Sequence, residues 1–326
     1  MESKSPKFPS LKELPSPPNE KIGWPWSVES EDILFQFDDD LPLPKISVVS
    51  PSYNQGQYLE ETIRSVLLQG YPNFEYIIHD GGSTDNAIEI LKKYDKWLTY
   101  WVSEPDRGQS HAINKGIQRA TGELIFWLNS DDLVLPGAFF KVALAYVAHP
   151  EYKIISGQAK LIDQDSEVIG NLSSYFQDWD EIVTNPGNSL RQVSTFFSRD
   201  LFDNYEYLDE NPNLAMDTDL LMRFTEHHQP LVLDDFIAGF RVHGEANTQH
   251  MLIRWYEEND RTRGKYLHTK TLRKKYNQRS SLHWISLSEM KKWTLKQRKH
   301  CLMNAIKMRP LVVFRRRLWL AVRKLH

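Results

Sequence analysis

The period of the apolar positions changes several times along the chain, and the changes divide it. From Met1 to Pro44 no period is sustained, and eight of the 17 prolines fall there. That texture predicts an extended arm, with Trp24 and Trp26 flanking Pro25 as the residues placed to pin it to a body. From Lys45 short apolar runs alternate with helical spacing. Ile46-Ser47-Val48-Val49-Ser50 predicts a strand and Pro51 to Gly56 a loop, and Leu59, Ile63, Val66 and Leu67 mark a helix stopping at Gly70. Phe74 to His79 predicts a second strand, followed by a turn from Asp80 to Asp85 and a helix reaching Tyr94. Thr99 to Ser103, a loop from Glu104 to Gly108 and a helix from Gln109 to Ala120 repeat the unit. Glu123 to Leu128 predicts a fourth strand, ending in Asn129-Ser130-Asp131-Asp132. Strands that alternate with helices and end in polar loops predict an α/β protein with a parallel, doubly wound sheet. Its ligand is expected at the carboxyl edge.

The second half is less regular. Ile154 to Gly157, Ala159 to Ile162 and Ser194 to Phe197 read as strands, and Ser174 to Asn188 as a binding loop. A helix lies within Ala215 to His227. Leu231 to Leu233 and Ile237 to Val242 read as late strands at the sheet edge, ending at His243. Near the end, Leu311, Phe314, Leu318, Val322 and Leu325 fall on one helical face.

Charge changes the picture of that end. The net charge of −3 is made of 21 Lys and Arg against 4 Asp and Glu from Arg254 to His326, and 19 against 39 before it. A basic amphipathic helix fits an anionic lipid surface, but also packing on the body or on a second subunit. No nucleic-acid motif accompanies the charge, so nucleic acid is the weakest of these partners. Hydrophobic content of 40% and charged content of 25% suit a protein with a real core. No window approaches the ~18 apolar residues of a membrane span, and Met1 to Pro6 lacks the apolar core of a signal peptide. Cys301 is the single cysteine, which excludes an intrachain disulfide and points to a reducing, cytoplasmic compartment.

Two adjacent acids at a strand end suit a hard divalent cation, Mn²⁺ or Mg²⁺, that bridges to phosphates. The plainer alternative is that Asp131 and Asp132 end the strand and cap a helix begun by Pro136. There is no G-x-G-x-x-G after the first strand and no G-x-x-x-x-G-K-[ST]. A bound diphosphate would therefore need another holder, and a metal is the natural one.

Five motifs stand in one order: Ser50-Pro51-Ser52-Tyr53-Asn54, Asp80-Gly81-Gly82-Ser83-Thr84-Asp85, Glu104-Pro105-Asp106-Arg107-Gly108, Asn129-Ser130-Asp131-Asp132 and Ala215-Met216-Asp217-Thr218-Asp219-Leu220. Together they resemble family-2 glycosyltransferases of the GT-A fold, over roughly Lys45 to Thr248. The resemblance implies a Rossmann-like, mostly parallel sheet flanked by helices, extended here by a C-terminal helical part. It implies inverting transfer of a sugar from a nucleotide diphosphate, UDP first, to an acceptor hydroxyl in polysaccharide or glycolipid assembly. By the same resemblance Asp80 meets the donor's base, with Pro51, Ser52 and Tyr53 lining that pocket and Asp106 and Arg107 approaching the nucleotide. Asp132 is the expected direct metal ligand, Asp131 reaches the ribose or supports the metal, and His243 completes the shell. Asp217 is the expected general base.

Each assignment has a plainer counterpart: a turn cap for Asp80, a surface ion pair for Arg107, a helix cap for Asp217, a packing role for His243. The chain also departs from the family pattern at two places, with Asn129 and Met216 where relatives often carry acids. Those departures favour the alternative of an inactive nucleotide- or carbohydrate-binding module. A nucleotidyltransferase would need a Gly-rich basic loop where Tyr53-Asn54-Gln55-Gly56 stands. The acceptor is expected to be a saccharide or lipid-linked, which would give an enzyme at the inner membrane face a purpose. The expected organisation is an arm over 1–44, a catalytic domain over 45–250 and a basic helical extension over 251–326.

Overall fold

The computed structural model describes residues 9–18, 21–30, 43–187, 189–211, 214–243, 252–289 and 294–308. Strands β1 (Ile46–Ser52), β2 (Phe74–Asp80), β3 (Tyr100–Ser103) and β4 (Leu124–Trp127) alternate with helices α1 (Gly56–Leu67), α2 (Ala87–Tyr94) and α3 (Gln109–Arg119). They form the parallel part of a nine-stranded sheet in the order β3-β2-β1-β4. The chain runs outward from β1 to β3 and then returns to the far side of β1, so strand order reverses between β1 and β4. Ligands of open α/β sheets lie at that reversal, outside the carboxyl ends.

Period-two alternation sends the side chains of these strands into two separate cores. Ile46, Val48, Tyr76, Ile78 and Phe126 pack with Leu59 and Ile63 of α1, together with Phe139 of α4 (Ala138–Ala148). Val49, Ile77, Ile125 and Trp127 pack on the other face with Ile113 and Ile117 of α3 and Leu220 of α7 (Met216–His227). Both faces are covered, which explains the continuous apolar character of β1 and β4.

Beyond β4 the sheet becomes mixed, through β5 (Leu133–Val134), β6 (Ile154–Ile162), β7 (Val168–Leu172), β8 (Thr195–Ser198) and β9 (Pro230–Arg241). The order continues β4-β8-β6-β9-β5, with β7 beside β6. The two predicted late strands are one, β9, and it lies inside β5 rather than at the edge. Asp234 and Asp235 read as a break because they are polar, but they occupy an irregularity of the β6–β9 pairing opposite Gly157. A Cβ on Gly157 would come within 2.2 Å of Ile237 Cγ1 and 2.9 Å of the Asp235 carbonyl oxygen, so close approach demands glycine there. The predicted loop from Ser174 contains a short helix, α5 (Trp179–Thr184), capped by Asp178 accepting the Glu181 N–H at 2.6 Å.

Part of the arm is fixed by a buried cation. Arg64 of α1 donates to the carbonyls of Pro25, Pro15 and Trp26 at 3.0, 2.8 and 3.2 Å, and its guanidinium lies over the Trp26 ring. Trp24 donates its indole N–H to the Val134 carbonyl at 2.9 Å. The C-terminal part adds α6 (Asp200–Tyr205) before α7, then α8 (Leu252–Gly264), α9 (Lys270–Ser288) and α10 (Leu295–Met308). Among the described residues no helix is long and apolar enough to cross a membrane. The amphipathic stretch from Leu311 to Leu325 lies outside the described residues.

One buried group gives the fold a pH signature. His79 of β2 lies against Tyr100, its Nε2 has no partner among the described residues, and burial together with Lys115 and Arg119 lowers its pKa to about 4. The unfolded value is about 6.5. The folded chain therefore binds fewer protons between these values, and stability falls as pH falls through that window. In denaturant melts at pH 7 and pH 4.5, His79→Leu is expected to flatten this acid slope by on the order of 2 kcal/mol after allowance for solvent screening.

Candidate active site

The ends of β1, β2 and β3 are tied into one rim. Gly81 donates its N–H to the Ser52 carbonyl at 2.8 Å, Asn54 donates to Ser83 Oγ at 2.8 Å, and Thr84 donates to Asn54 Oδ1 at 2.9 Å. Asp80, buried at the end of β2, accepts at Oδ1 from Gly82 N, Ser83 N and Ser103 Oγ at 3.1, 2.8 and 2.6 Å, and at Oδ2 from Ser83 Oγ. Oδ1 is saturated, while Oδ2 keeps an accepting direction. Tyr53 stands 61% exposed beside it, an open aromatic face. A Cβ on Gly81 would meet Asp106 Oδ2 at 2.8 Å and Tyr53 Cδ2 at 3.3 Å, so the three loops converge over this glycine. Arg107 is held by Glu210, with Nε and a terminal nitrogen at 3.1 and 2.7 Å from Oε2.

At the end of β4 the two acids face different ways. Asp132 is turned inward, 1% exposed, with Oδ1 accepting from the Arg241 N–H at 2.9 Å and Oδ2 from Asn129 Nδ2 at 3.2 Å. Burial, and then the charge of Asp131, push its pKa well above the usual carboxylate range. Asp131 is the more open acid, and its Oδ2 lies 3.0 Å from His243 Nε2. His243 is buried and its Nδ1 has no partner among the described residues. Both polar atoms of the Asn129 side chain are engaged: Oδ1 accepts from Gln109 Nε2 and Trp127 Nε1, both at 2.8 Å, while Nδ2 donates to Asp132. An acid at this position could not make that donation.

Among the described residues no group of three His, Cys, Asp or Glu side chains gathers to hold an ion. The Asp131–His243 pair nevertheless fits a divalent cation that shares its shell with phosphates. Neighbouring ligands of an octahedral ion with ~2.1 Å bonds lie about 3 Å apart. The pair has that spacing, one oxygen and one imidazole nitrogen, and the Asp131 side chain is partly exposed. Asp132, expected as the direct ligand, is the acid whose oxygens are both engaged.

Asp217 lies in the first turn of α7, half-buried, with Oδ1 accepting from the Thr218 N–H at 2.7 Å. The helix terminus favours its charge. Burial nevertheless raises its pKa, against the Thr218 N–H and the charge of Arg263, and so outweighs the helix in the balance expected from sequence. A base shifted upward accepts a proton more readily near neutral pH. The first turn of α3 touches both the end of β4 and the residue before this acid. Gln109 donates to Asn129, and Ser110 donates to Met216 Sδ at 2.8 Å. Met216 is 6% exposed among apolar neighbours, a slot that disfavours the acid many relatives carry. Asp219 accepts from Arg223 Nε and Tyr266 OH at 3.0 and 3.1 Å and so ties α7 to the turn that follows Leu252–Gly264.

Two residues escaped the sequence reading. Arg241 and Glu61 form a wholly buried ion pair at 3.0 Å behind the two acids. Glu61 looked like one more polar position on α1, and nothing in a single sequence links it to a residue 180 positions away.

The model of the family described as Glycosyl transferase family 2 matches residues 47–212, just over half of the chain. The putative teichuronic acid biosynthesis glycosyltransferase TuaG of Bacillus subtilis is 41% identical over 92 residues, covering 27% of this chain and 36% of that protein. The chain thus spans only about a third of the length of such curated relatives. Among solved structures, S. aureus TarS 1-349 in complex with UDP-GlcNAc superposes with a TM-score of 0.57 at 19% identity, over 82% of each chain. A mannosyltransferase from Pyrobaculum calidifontis in complex with GDP-Man and Mn²⁺ gives 0.51 at 16% identity, over 87% of this chain and 77% of that one. These structural likenesses concern the fold, a mixed α/β sheet of GT-A type with a helical C-terminal part. The matched region carries the strand-end loops that meet where the order of the sheet reverses, and on that ground the chain belongs to glycosyl transferase family 2.

Proposed function

We propose that this protein is an inverting glycosyltransferase that moves a sugar from a nucleoside diphosphate to an acceptor hydroxyl. The observation that carries the reading is the meeting of four strand-end loops with the start of α7, next to Asp217, around the first turn of α3. UDP is the favoured donor nucleotide, supported by the UDP-GlcNAc complex of the TarS structure. Tyr53 offers its face to the base and Asp80 Oδ2 accepts the imide N–H. Asp106 borders the ribose side. Asp131 and His243 would hold a Mn²⁺ or Mg²⁺ ion, with Asp132 behind them. Such an ion, when bound, neutralises charge on the departing diphosphate.

The transfer itself asks for a base on the sugar face opposite the diphosphate. Asp217 takes the acceptor's proton at Oδ2, since Oδ1 holds the Thr218 N–H. The acceptor oxygen then bonds to the anomeric carbon while the bond to the diphosphate breaks and its electrons leave with the phosphate oxygen. A saccharide or lipid-linked acceptor in polysaccharide or glycolipid assembly suits the reading, as does a cytoplasmic enzyme whose basic C-terminal stretch rests on anionic lipid.

Release of nucleotide from a panel of UDP-, GDP- and dTDP-sugars, with and without saccharide acceptors, tests the proposal. At least one donor should be consumed, and its consumption should depend on Asp217. A folded sample that consumes none would overturn it. The Arg107–Glu210 pair adds a smaller expectation. It is exposed, so its partners hold each other weakly. Glu210→Gln should free Arg107 for the diphosphate and tighten UDP binding up to about fivefold at low salt, less at high salt. Calorimetry at two salt concentrations reads this directly.

A further inference from the structure

The loop that carries Asp131 and Asp132 is held from outside at two places: Thr62 Oγ1 of α1 lies 3.0 and 2.8 Å from the carbonyls of Ser130 and Asp132, and Arg241 at the end of β9 holds the two acids themselves. The main-chain N–H of Arg241 donates to Asp132 Oδ1 at 2.9 Å, and its Nε donates to the Asp131 carbonyl at 2.7 Å. The rest of its wholly buried guanidinium donates to Glu61 Oε2 at 3.0 Å, Ser166 Oγ at 2.9 Å and the Asp163 carbonyl at 3.0 Å. Ser166 Oγ in turn donates to Glu61 Oε1 at 2.6 Å. A guanidinium keeps its charge even when buried, so it must sit where its counter-charge and acceptors are.

The geometry reaches the second member of the pair as well. His243 follows Arg241 by two residues, so a displacement of Arg241 moves His243 through the main chain and Asp131 through its carbonyl. Tyr58 lies against both, its ring centroid 4.7 Å from that of His243 and 4.7 Å from the Arg241 guanidinium carbon. Tyr58 and Glu61 are three residues apart on α1 and therefore share one helix face. One face of α1 thus backs the whole Asp131–His243 arrangement.

We propose that Glu61 and Arg241 are positioning residues for the Asp131–His243 pair. The Glu61 carboxylate fixes the guanidinium, and Arg241 then fixes both the loop of the acids and the register of His243. The inference rests on the reading of that pair as the ion holder of the donor site. It adds that α1 and the β6–β7 turn belong to the site, although neither need touch the donor. A cavity of about 310 Å³ reaches Glu61 from the side of the arm. Water can therefore approach the position when its carboxylate is neutralised, so Glu61→Gln should still fold.

The test uses the full chain and two readouts. In the metal-free protein, ¹⁵N-labelled histidine should show a protected imidazole N–H for His243, bonded to Asp131. Glu61→Gln should shift or lose that signal while melting stays cooperative. In the presence of UDP, the same variant should bind Mn²⁺ about 10- to 100-fold more weakly, the range seen when groups behind metal ligands are changed. Glu61→Asp should recover part of the loss, and Ser166→Ala should give a smaller loss of the same kind even if Glu61→Gln unfolds. A folded Glu61→Gln with an unchanged His243 signal and unchanged Mn²⁺ affinity would make the ion pair merely structural and end the proposal. If the wild type binds no Mn²⁺ with UDP while the His243 signal still answers to Glu61→Gln, positioning stands and the ion-holding reading falls.

Discussion

Asp217→Asn is expected to reduce transfer by about 10²- to 10⁴-fold in kcat, the usual range for a positioned general base. UDP affinity should stay within about twofold, because the substitution removes a proton acceptor and leaves the shape. Asparagine keeps an oxygen for the Thr218 N–H, whose bond to Asp217 is 2.7 Å. Stability separates this outcome from simple damage. Burial raises the Asp217 pKa in the folded state, so the ionised form weakens the fold above the unfolded carboxylate range, and that cost disappears once pH falls below it. Asparagine removes the cost, so the variant should melt no lower than the wild type at pH 7. A large loss of activity in a protein equally or more stable is the signature of a base. Loss of activity together with a lower melting temperature would instead mark Asp217 as a helix-capping residue.

Asp131→Ala should remove the metal dependence of nucleotide binding, with the affinity for Mn²⁺ in the presence of UDP falling by at least about 100-fold. Two costs of opposite sign accompany it. His243 loses the partner of Nε2 and becomes a buried imidazole with neither nitrogen bonded among the described residues, at about 1–3 kcal/mol. Asp132 loses a neighbouring negative charge that pushes its pKa upward, which relieves the fold at neutral pH. The net change in stability should therefore be modest. Asp132→Ala makes the contrast, since it strips a buried partner from the Arg241 N–H and from Asn129. Its stability should fall more than that of Asp131→Ala. The two acids, adjacent in sequence, then separate by readout: nucleotide-linked metal affinity for Asp131, melting temperature for Asp132. Equal effects of both variants on both readouts would contradict the division.

How much of this was legible in the sequence differs between the two halves. The β1 to β4 units announce themselves because β1, β2 and β4 are buried on both faces and each connection is short, so local period and turn residues decide the structure. Even there the end of β1 was misjudged. Pro51 read as loop, yet it continues the strand, because pairing with β4 stops at Val49 and a missing N–H is tolerated at that edge. In β9, two exposed acids looked like a terminus and are an irregularity within one strand, opposite a glycine chosen by a packing partner far away in sequence. Local texture cannot carry such information.

The site shows the same boundary. Asp80, Asp131, Asp132 and Asp217 stand out as candidates through the motifs that carry them. Which of two adjacent acids turns inward was not legible, because the choice depends on a main-chain N–H at Arg241, 109 residues on. The partner of Arg107 was equally hidden, since Glu210 stands 103 residues away in a segment without a motif. The departures from the family pattern gain a physical reason only in three dimensions. Asn129 is needed as a donor to Asp132, and Met216 fills an apolar slot against α3.

On the proposed reading, the carboxyl edge of this sheet binds a nucleoside diphosphate through Tyr53 and Asp80 on one side and an ion held by Asp131 and His243 on the other. Calorimetric titration of the purified chain with UDP, with and without Mn²⁺, tests it most directly. Saturable binding is expected, tightening at least about tenfold with Mn²⁺, with the added affinity vanishing in Asp131→Ala. Absence of binding by UDP, GDP or dTDP in a cooperatively folding sample, with or without the ion, would contradict it and leave a glycosyltransferase fold without donor chemistry.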